Sequence, residues 1–560
     1  MGSYVYSPLE ASHIRLIKIA INEQDELHAS IEHTKLDPED PVTYSTLSYV
    51  WGDMNTIYEK AETVIAWLGS ATPSTSKGID LVSRVADVAM PTLTDIFRIE
   101  EYPDDWVGLE IYEKITVEES KKLGISFEDE EAWDAFADFF DRPWFERIWI
   151  VQEILPARKA IMLCGEQSVD WKVMQAAARW YHYKAAEISG RHQRAVNGID
   201  LTVAMNVPWV LRMGSEFYHD LLGQKTRAVF KWSLRRLLET FRPRLATEPK
   251  DKVYALLGVS EIGISYSSDL VNFTIDYTQG LNEIFALVTK VMICEGDVSQ
   301  DDLDIVMTAR RRNEEPGWPT WVPDWRLQNG YGCRVNGKVQ MFDTGSPYTL
   351  GVEGVVLGRA TYVSQHAHLS PMLLKGGLVE CHDAYVSTLT SYPTGEGVEQ
   401  AFALTVMAGE LPKSNLEKGT SIETYTENYL EWLKVMLMPQ GTVEEREVRV
   451  AAARVLLKLG FDNDWGQRLL EAYCERRFYM TDTGYMGLGN HNMKEGDVIA
   501  VLFGLMVPCV LRPRGHSTED GYEFIGEAYF HGMMDGEARE GLEKNDDGVV
   551  LSGGQRLVLH

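Results

Sequence analysis

The stretch SYVWGDMNTIYEKAETVIAWLG, Ser48–Gly69, limits the fold of this chain more tightly than any other. It reads as a strand ending at Trp51-Gly52, a helix, and a second strand, TVIAWLG, ending at Gly69. A short apolar run bounded by glycine suits a buried parallel strand. Between the strands, Met54 to Glu62 leaves room for a helix of about nine residues, roughly 13 Å at 1.5 Å per residue. Crossovers between parallel strands usually take a dozen residues or more, and a strand of five or six residues spans about 17–20 Å. Three outcomes follow. The link straightens into irregular chain, TVIAWLG pairs antiparallel, or the sheet keeps a vacancy.

The flanking sequence extends the α/β pattern. IRLIKIA (Ile14–Ala20), LHASIEHTKL (Leu27–Leu36) and YSTLSYVWG (Tyr44–Gly52) read as strands, and SATPSTSKG as a loop. A helix is predicted from near Ser126, with Asp129 as the partner in a capping box. Trp133, Phe136, Phe139 and Phe140 recur at helical spacing, and Arg142-Pro143 stops the helix. IWIVQE (Ile148–Glu153) reads as a further strand. Alternating strands and helices predict an α/β sheet domain over residues 1–170, with its main blocks at 44–69 and 142–165. Residues 171–330 read as mainly helical. There AVFKWSLRRLLETF places Phe230, Leu234, Leu237, Leu238 and Phe241 on one face. Lys225, Arg227, Lys231, Arg235, Arg236, Arg242 and Arg244 form a basic island, read first as a solvated, charge-paired face and second as a docking site for phosphate or an acidic partner. Residues 331–560 read as a β-barrel-like domain split by a helical insertion at about 380–480. Its strands are YTLGVEGVVLGRATYV, GYMGLG, DVIAVLFG, PCVLRP and YEFIGEAYFHG, and a disordered tail is expected beyond about 536. WPTWVPDW (Trp318–Trp325) reads as an ordered connector that packs its tryptophans.

Composition narrows the function. A formal net charge of −29 disfavours non-specific binding to nucleic acid or anionic membranes. No apolar run approaches the eighteen or so residues that span a bilayer. The six cysteines lie far apart, so no CxxC metal or redox motif exists. Scattered thiols without a signal-peptide pattern point to the cytoplasm. Neither a metal nor a bound cofactor is implied. GYMGLGN lacks the strand-to-helix order of a dinucleotide fingerprint and reads as a β-turn. DNDWGQRLLEAY misplaces the glycine and lacks the final glutamate of a calcium loop.

Ligands of open α/β sheets sit at the carboxyl ends of strands. Three such ends are predicted, at Trp51-Gly52-Asp53, Gly69-Ser70 and Gln152-Glu153. A carboxylate and an aromatic at that rim suit cleavage of an N-glycosidic bond. The acid stabilises an oxocarbenium-like transition state and the ring stacks on the base. Glu153 is the first candidate acid and Asp53 the second. Trp51, Arg142 and Trp149 are the substrate-side candidates. The bland alternatives are a Glu153 that pairs with Arg147 or Arg158, an Asp53 that caps a helix, and core roles for Trp144 and Trp149.

YSTLSYVWGD, IYEKAETVIAWLG and RPWFERIWIVQEILPARKAIMLCG resemble three signature blocks of the fungal heterokaryon incompatibility (HET) domain. DKVYALLGV, WPTWVPDW, RRFYMTDTGYMGLG and the later VLRP and GEAYFHGMMDGE segments resemble further blocks of full-length members. The resemblance implies a cytosolic fungal protein of non-self recognition and programmed cell death. It also implies a fold related to Toll/interleukin-1 receptor (TIR) domains, some of which cleave NAD. Protein partners or self-association through the HET domain, and NAD as substrate, are the implied interactions. The alternative is a non-catalytic interaction protein, or a decayed member of the family. Members carry a block between SYVWGD and IYEKA that reads approximately LWIDAICINQ, and nothing here matches it. The short crossover and the missing block are one anomaly, and the resemblance makes a vacancy in an incomplete open sheet the expected outcome.

Overall fold

The computed structural model describes chiefly residues 13–21, 27–35, 45–47, 54–96, 124–184, 234–260, 265–295, 302–309, 317–327, 341–364, 389–409, 476–534 and 554–560. The chain divides into two compact units, Met1–Ile264 and Ser265–His560. Mixed α/β content, helices through the middle and a β-rich C-terminal sheet match the coarse outline read from the sequence.

In the first unit, β1 (His13–Ile21) and β2 (Leu27–Lys35) form an antiparallel pair with Ile17 opposite Ile31. A separate four-stranded sheet runs in the order β3 (Ser45–Leu47), β4 (Thr63–Trp67), β5 (Ala160–Cys164), β6 (Gln167–Asp170). The first three are parallel and β6 returns antiparallel. Helix α1 (Met54–Lys60) makes the crossover between β3 and β4.

This corrects the expected vacancy. Strands β3 and β4 are direct parallel neighbours, with Ser45 opposite Thr63 and Leu47 opposite Ile65. The expectation failed because it assumed a full-length strand. A three-residue strand spans roughly 10 Å, and the seven residues of α1 span about the same. A short helix returns along a short strand.

Helix α2 (Thr75–Ile96) packs against α3 (Glu130–Phe140) and α5 (Trp171–Lys184). The SATPSTSKG segment is therefore only partly loop, since α2 starts at Thr75. Asp129 is itself the N-cap of α3, its carboxylate accepting from the Ala132 amide at 3.1 Å. It is not the distal partner of a box opened by Ser126. The α3 aromatics fill the space beneath. Trp133 and Trp180 stack at 6.2 Å between centroids, Phe127 lies 5.8 Å from Trp180, and Phe136 is fully buried.

A second correction concerns IWIVQE. Residues Ile150–Ile154 form a short helix, α4, not a strand. All five side chains are buried, because α4 sits between α1 and α7 (Asp251–Leu257). A segment buried on every side shows no period, so strand and helix cannot be told apart by pattern.

The described members of the basic island divide between a charge-paired helix residue and buried ties. Arg235 pairs with Glu239 along α6 (Leu234–Phe241). Arg242 and Arg244 are buried, and the Arg244 guanidinium donates to the Phe145 carbonyl at 2.8 Å. They tie chain segments together and form no solvated face. Lys225, Arg227, Lys231 and Phe230 lie outside the described residues. Leu234, Leu237, Leu238 and Phe241 are buried as the spacing predicts.

In the second unit, β7 (Ser265–Ser267) and β8 (Asn272–Thr274) pair antiparallel before α8 (Leu281–Glu295). The WPTWVPDW segment is ordered. Trp321 and Trp325 are buried, and the Trp318 indole donates to the Val322 carbonyl at 3.1 Å. Beyond it lie β9 (Met341–Phe342), β10 (Leu350–Val363), β11 (Arg476–Thr481), β12 (Met486–Asn490), β13 (Val498–Leu502), β14 (Cys509–Pro513) and β15 (Tyr522–Phe530). The long strand β10 pairs with β13 through Gly354–Arg359 and with β11 through Ala360–Val363. The pairings β10–β13–β14–β15–β12–β11–β10 close a ring of antiparallel strands.

Alternation along these strands sorts side chains to two faces. Tyr479, Ile499, Val510, Ala528 and Phe530 cluster within the ring. Phe478, Met480, Met486, Leu488 and Tyr529 face a second cluster that includes Ala401, Phe402, Val406 and Met407, on and just after helix α9 (Val398–Thr405). The sequences TENYLEWLKVML and EEREVRVAAARVLLKLG, read as helical, lie almost wholly outside the described residues.

The expected tail is another correction. After β16 (Glu543–Lys544) and β17 (Val550–Ser552), β18 (Gln555–Leu559) pairs with β10 and touches β15, and Leu557 and Leu559 are buried. The GYMGLGN glycines are not all turn residues either. Gly484 turns the chain at φ +85°, while Gly487 and Gly489 sit inside β12. A Cβ on Gly487 would collide with the Tyr479 hydroxyl and the Tyr529 carbonyl, and one on Gly489 with the Met493 sulfur. The buried phenol of Tyr479 occupies the space that the glycines leave. Gly487→Ala should therefore lower stability by about 1–3 kcal/mol, the range for overpacking a filled core. Chemical denaturation of the whole chain reads this, and an unchanged midpoint would contradict the packing.

Candidate functional site

The segment from Arg142 to Ile154 joins most of the groups that the sequence singles out. Its first residue reaches the carboxyl end of β4. The Arg142 guanidinium donates to the Leu68 carbonyl at 3.2 Å, the Ser70 carbonyl at 3.0 Å and the Thr75 hydroxyl at 3.0 Å. It thus binds two carbonyls and a hydroxyl, because β4 ends there with carbonyls that no further strand pairing uses.

Pro143–Glu146 then forms a turn of 3₁₀ helix with Trp144 and Phe145 buried. The Ile148 amide donates to the Leu245 carbonyl at 3.0 Å, and the Leu245 amide to the Glu146 carbonyl at 2.6 Å. The Trp149 indole donates to the Asp251 carboxylate at 3.0 Å, and the Gln152 amide to the Tyr254 carbonyl at 3.2 Å. The buried Lys252 ammonium donates to the Arg242 carbonyl at 2.9 Å and to that of Arg244. Thus DKVYALLGV and RPWFERIWIVQE, about a hundred residues apart, are two sides of one interface within the first unit.

Glu153 stands at the end of this series and is fully buried. Its carboxylate lies 3.8 Å from the Arg147 guanidinium, and the Trp144 side chain hydrogen-bonds it. Burial raises its pKa from 4.5 to about 7, against the opposing pull of Arg147 and the Trp144 bond. So Glu153 is neither at a strand end nor at a rim. The Arg147 pairing named among the bland alternatives is present. Trp149 is tied to Asp251 and does not stand as a free stacking platform. Trp51 and Asp53 lie outside the described residues.

The true carboxyl ends of the parallel strands are elsewhere, at Leu68–Ser70 and at Cys164–Gly165. The Gly165 amide donates to the Gly69 carbonyl at 3.0 Å, and both glycines have positive φ. A Cβ on Gly165 would press into Ala71, so the two strand ends approach closely only because this residue has none. Around them, the buried Thr75 accepts from the Thr72 amide at 2.8 Å. Gln167 donates to the Ser76 hydroxyl at 2.9 Å, and the Ser74 hydroxyl donates to Asp138 at 3.3 Å. The sequence reading missed Thr75, Asp138 and Gln167. The available signal was the serine- and threonine-rich run directly after β4. Among the described residues no cluster of His, Cys, Asp and Glu could hold a metal ion, and no helix is long and apolar enough to cross a membrane.

Residues 52–153 match the sequence model of the family described as Heterokaryon incompatibility protein (HET). Residues 52–153 are thus a HET domain. The matched span opens just before α1 and closes on Glu153, so it covers α1, β4, α2, α3 and most of α4. Residues 446–550 match the Het-6 beta-barrel domain, which includes strands β11 to β15 of the closed ring. The chain is 24% identical to the Neurospora crassa protein named Heterokaryon incompatibility protein 6, OR allele, over 88% of this chain and 79% of that one. No solved structure matches the chain.

Two measurements test this site of the HET domain. Trp144→Ala removes a buried indole and a hydrogen bond to Glu153, and should cost about 3–5 kcal/mol in denaturation. Glu153 binds a proton more tightly folded than unfolded. Its contribution to stability is complete below about pH 4.5, the unfolded value, and is lost as pH rises through about 7. Stability should therefore fall across that window by at most about 1.4 kcal/mol per pH unit, and Glu153→Gln should flatten the slope. An equal slope in both proteins would show that the carboxyl is solvated.

Proposed function

We propose that this chain is an incompatibility factor that acts through protein contacts made by its HET domain. The name of the Neurospora crassa relative supports the role. The observation that carries the mode of action is the engagement of Arg142, Trp149, Gln152 and Glu153 with the chain's own backbone and side chains. Groups bound in this way build a scaffold. The parallel run β3–β4–β5 with its helices supports kinship with TIR domains, which also associate through their surfaces. In this reading the protein works in the cytoplasm, as a HET-like domain followed by a helical region and a barrel whose insertion lies between β10 and β11.

The test is expression in fungal cells. Full-length protein should arrest growth in strains of unlike type and spare matched ones, and removal of residues 1–170 should abolish the arrest. Equal growth in every combination would overturn the role.

A second reading, cleavage of NAD, has one observation in its favour. A carboxyl raised to about 7 holds a proton in part of the population at neutral pH, as a general acid must. Glu153 is then the acid, with Asp53 second and Trp51, Arg142 and Trp149 on the substrate side. Full burial of Glu153 means that α4 has to move before substrate reaches it. Purified protein should release nicotinamide from NAD, and Glu153→Gln should stop the release while the fold persists. Growth arrest without nicotinamide release separates the first reading from this one.

A further inference from the structure

The second unit contains a chain of hydrogen bonds that the incompatibility role does not use. The His531 ring is buried at the end of β15. Its Nε2 lies 2.9 Å from Glu396 Oε1, and its Nδ1 lies 2.7 Å from the Tyr529 hydroxyl. The Thr394 hydroxyl donates to the same Glu396 oxygen at 2.7 Å. The Tyr392 hydroxyl donates to the His531 carbonyl at 3.0 Å and accepts from the Met486 amide at 3.1 Å. Met486 on β12 and His531 just past β15 thus grip the segment that leads into α9, and Tyr529 on β15 supports the His531 ring.

We propose that the Glu396–His531–Tyr529 relay is a proton-sensitive latch that fastens residues 391–409 onto the outer face of β11, β12 and β15.

The tautomer follows from the neighbours. A carboxylate only accepts, so Nε2 carries the hydrogen toward Glu396 and the bare Nδ1 accepts from the Tyr529 hydroxyl. Adding a proton to the ring places a hydrogen on Nδ1, which then donates to the Tyr529 oxygen, so the hydroxyl must turn its own hydrogen away and a charged ring must be held in a buried place. The groups facing His531 are Glu396 from the segment, Tyr529 from β15, and Tyr392, whose ring centroid is 5.5 Å away. Tyr485, at the start of the β11–β12 turn's return, packs on Tyr392 at 5.7 Å. Glu396 alone favours the charged ring. Burial outweighs it and lowers the His531 pKa below 6.5. With the folded value depressed, the released segment binds the proton more readily than the fastened one. The latch holds fully above about pH 6.5 and weakens as pH falls below it.

Release has a defined consequence. Phe402, Val406 and Met407 pack in one cluster with Phe478, Met480, Met486 and Leu488. Gly409 lies against the Tyr529 ring so closely that a Cβ there would meet its hydroxyl at 2.8 Å. Lifting the segment uncovers this apolar face of the ring. A second imidazole–carboxylate contact, His382 Nε2 to Glu399 at 2.9 Å, lies one turn along α9. It joins two parts of the inserted segment and does not hold that segment to the ring.

Limited proteolysis of the full chain tests the latch, with a protease active at pH 5.5 and pH 7.5. Rates are normalised to cleavage of a free peptide carrying residues 391–409. Normalised cleavage within the segment should rise several-fold at pH 5.5. In His531→Gln, which keeps a hydrogen-bonding side chain but cannot gain the proton, the two rates should agree. A wild-type protein with equal rates, or a variant with the same rise, would overturn the proposal. Titration of the wild-type His531 ring by NMR gives a readout independent of the variant's folding, and a ring that titrates at or above pH 6.5 would also overturn it.

Discussion

The first unit depends on one constraint: the segment Arg142–Ile154 must satisfy polar groups on two sides at once. On one side it meets strand ends, where Arg142 donates to the Leu68 and Ser70 carbonyls. On the other it meets the 245–254 segment through Leu245, Asp251 and Tyr254. An unmet buried carbonyl or amide costs about 1–3 kcal/mol, so several at one junction amount to a sizeable part of a domain's stability. This explains why polar residues crowd a sequence block that is otherwise aromatic and aliphatic. They are the fastenings of an interface whose body is hydrophobic.

The same constraint accounts for the behaviour of Glu153. A carboxylate in a space closed by α1 and α7 has lost its water. One guanidinium at 3.8 Å and one indole N–H compensate only in part, and the proton is retained to higher pH. A raised pKa is often read as a sign of catalysis, but a buried scaffold position raises it by the same physics. Access separates the two cases. In the second unit, burial acts on His531 in the opposite direction because the charged form of an imidazole is the protonated one. The two groups thus respond to pH with opposite sign in separate parts of the chain.

Much of the candidate site was legible as sequence and little of it as geometry. Trp144, Trp149, Arg142 and Glu153 were named from their place in one block, and the block does form a connected structure. Their partners were not legible, because Leu68, Asp251 and Tyr254 are distant in sequence and nothing local marks them. Glu153 was assigned to a rim because IWIVQE reads as a strand. Five consecutive buried residues carry no period, and only the neighbours α1 and α7 decide that they coil.

The sequence by itself determined the elements whose exposure alternates or whose ends are chemically marked. Strands β4, β10 and β13 to β15, the aromatic face of α3 and the ordered tryptophan connector all follow from local pattern, because side-chain period and turn chemistry act over a few residues. The tertiary structure decided the rest. It paired β3 with β4 across a seven-residue helix, since the shortness of β3 becomes apparent only once its partner is in place. It turned Gly487 and Gly489 from turn residues into space for Tyr479, and it paired β18 with β10. Each of these depends on what lies opposite in space, and sequence pattern records only what lies adjacent in the chain.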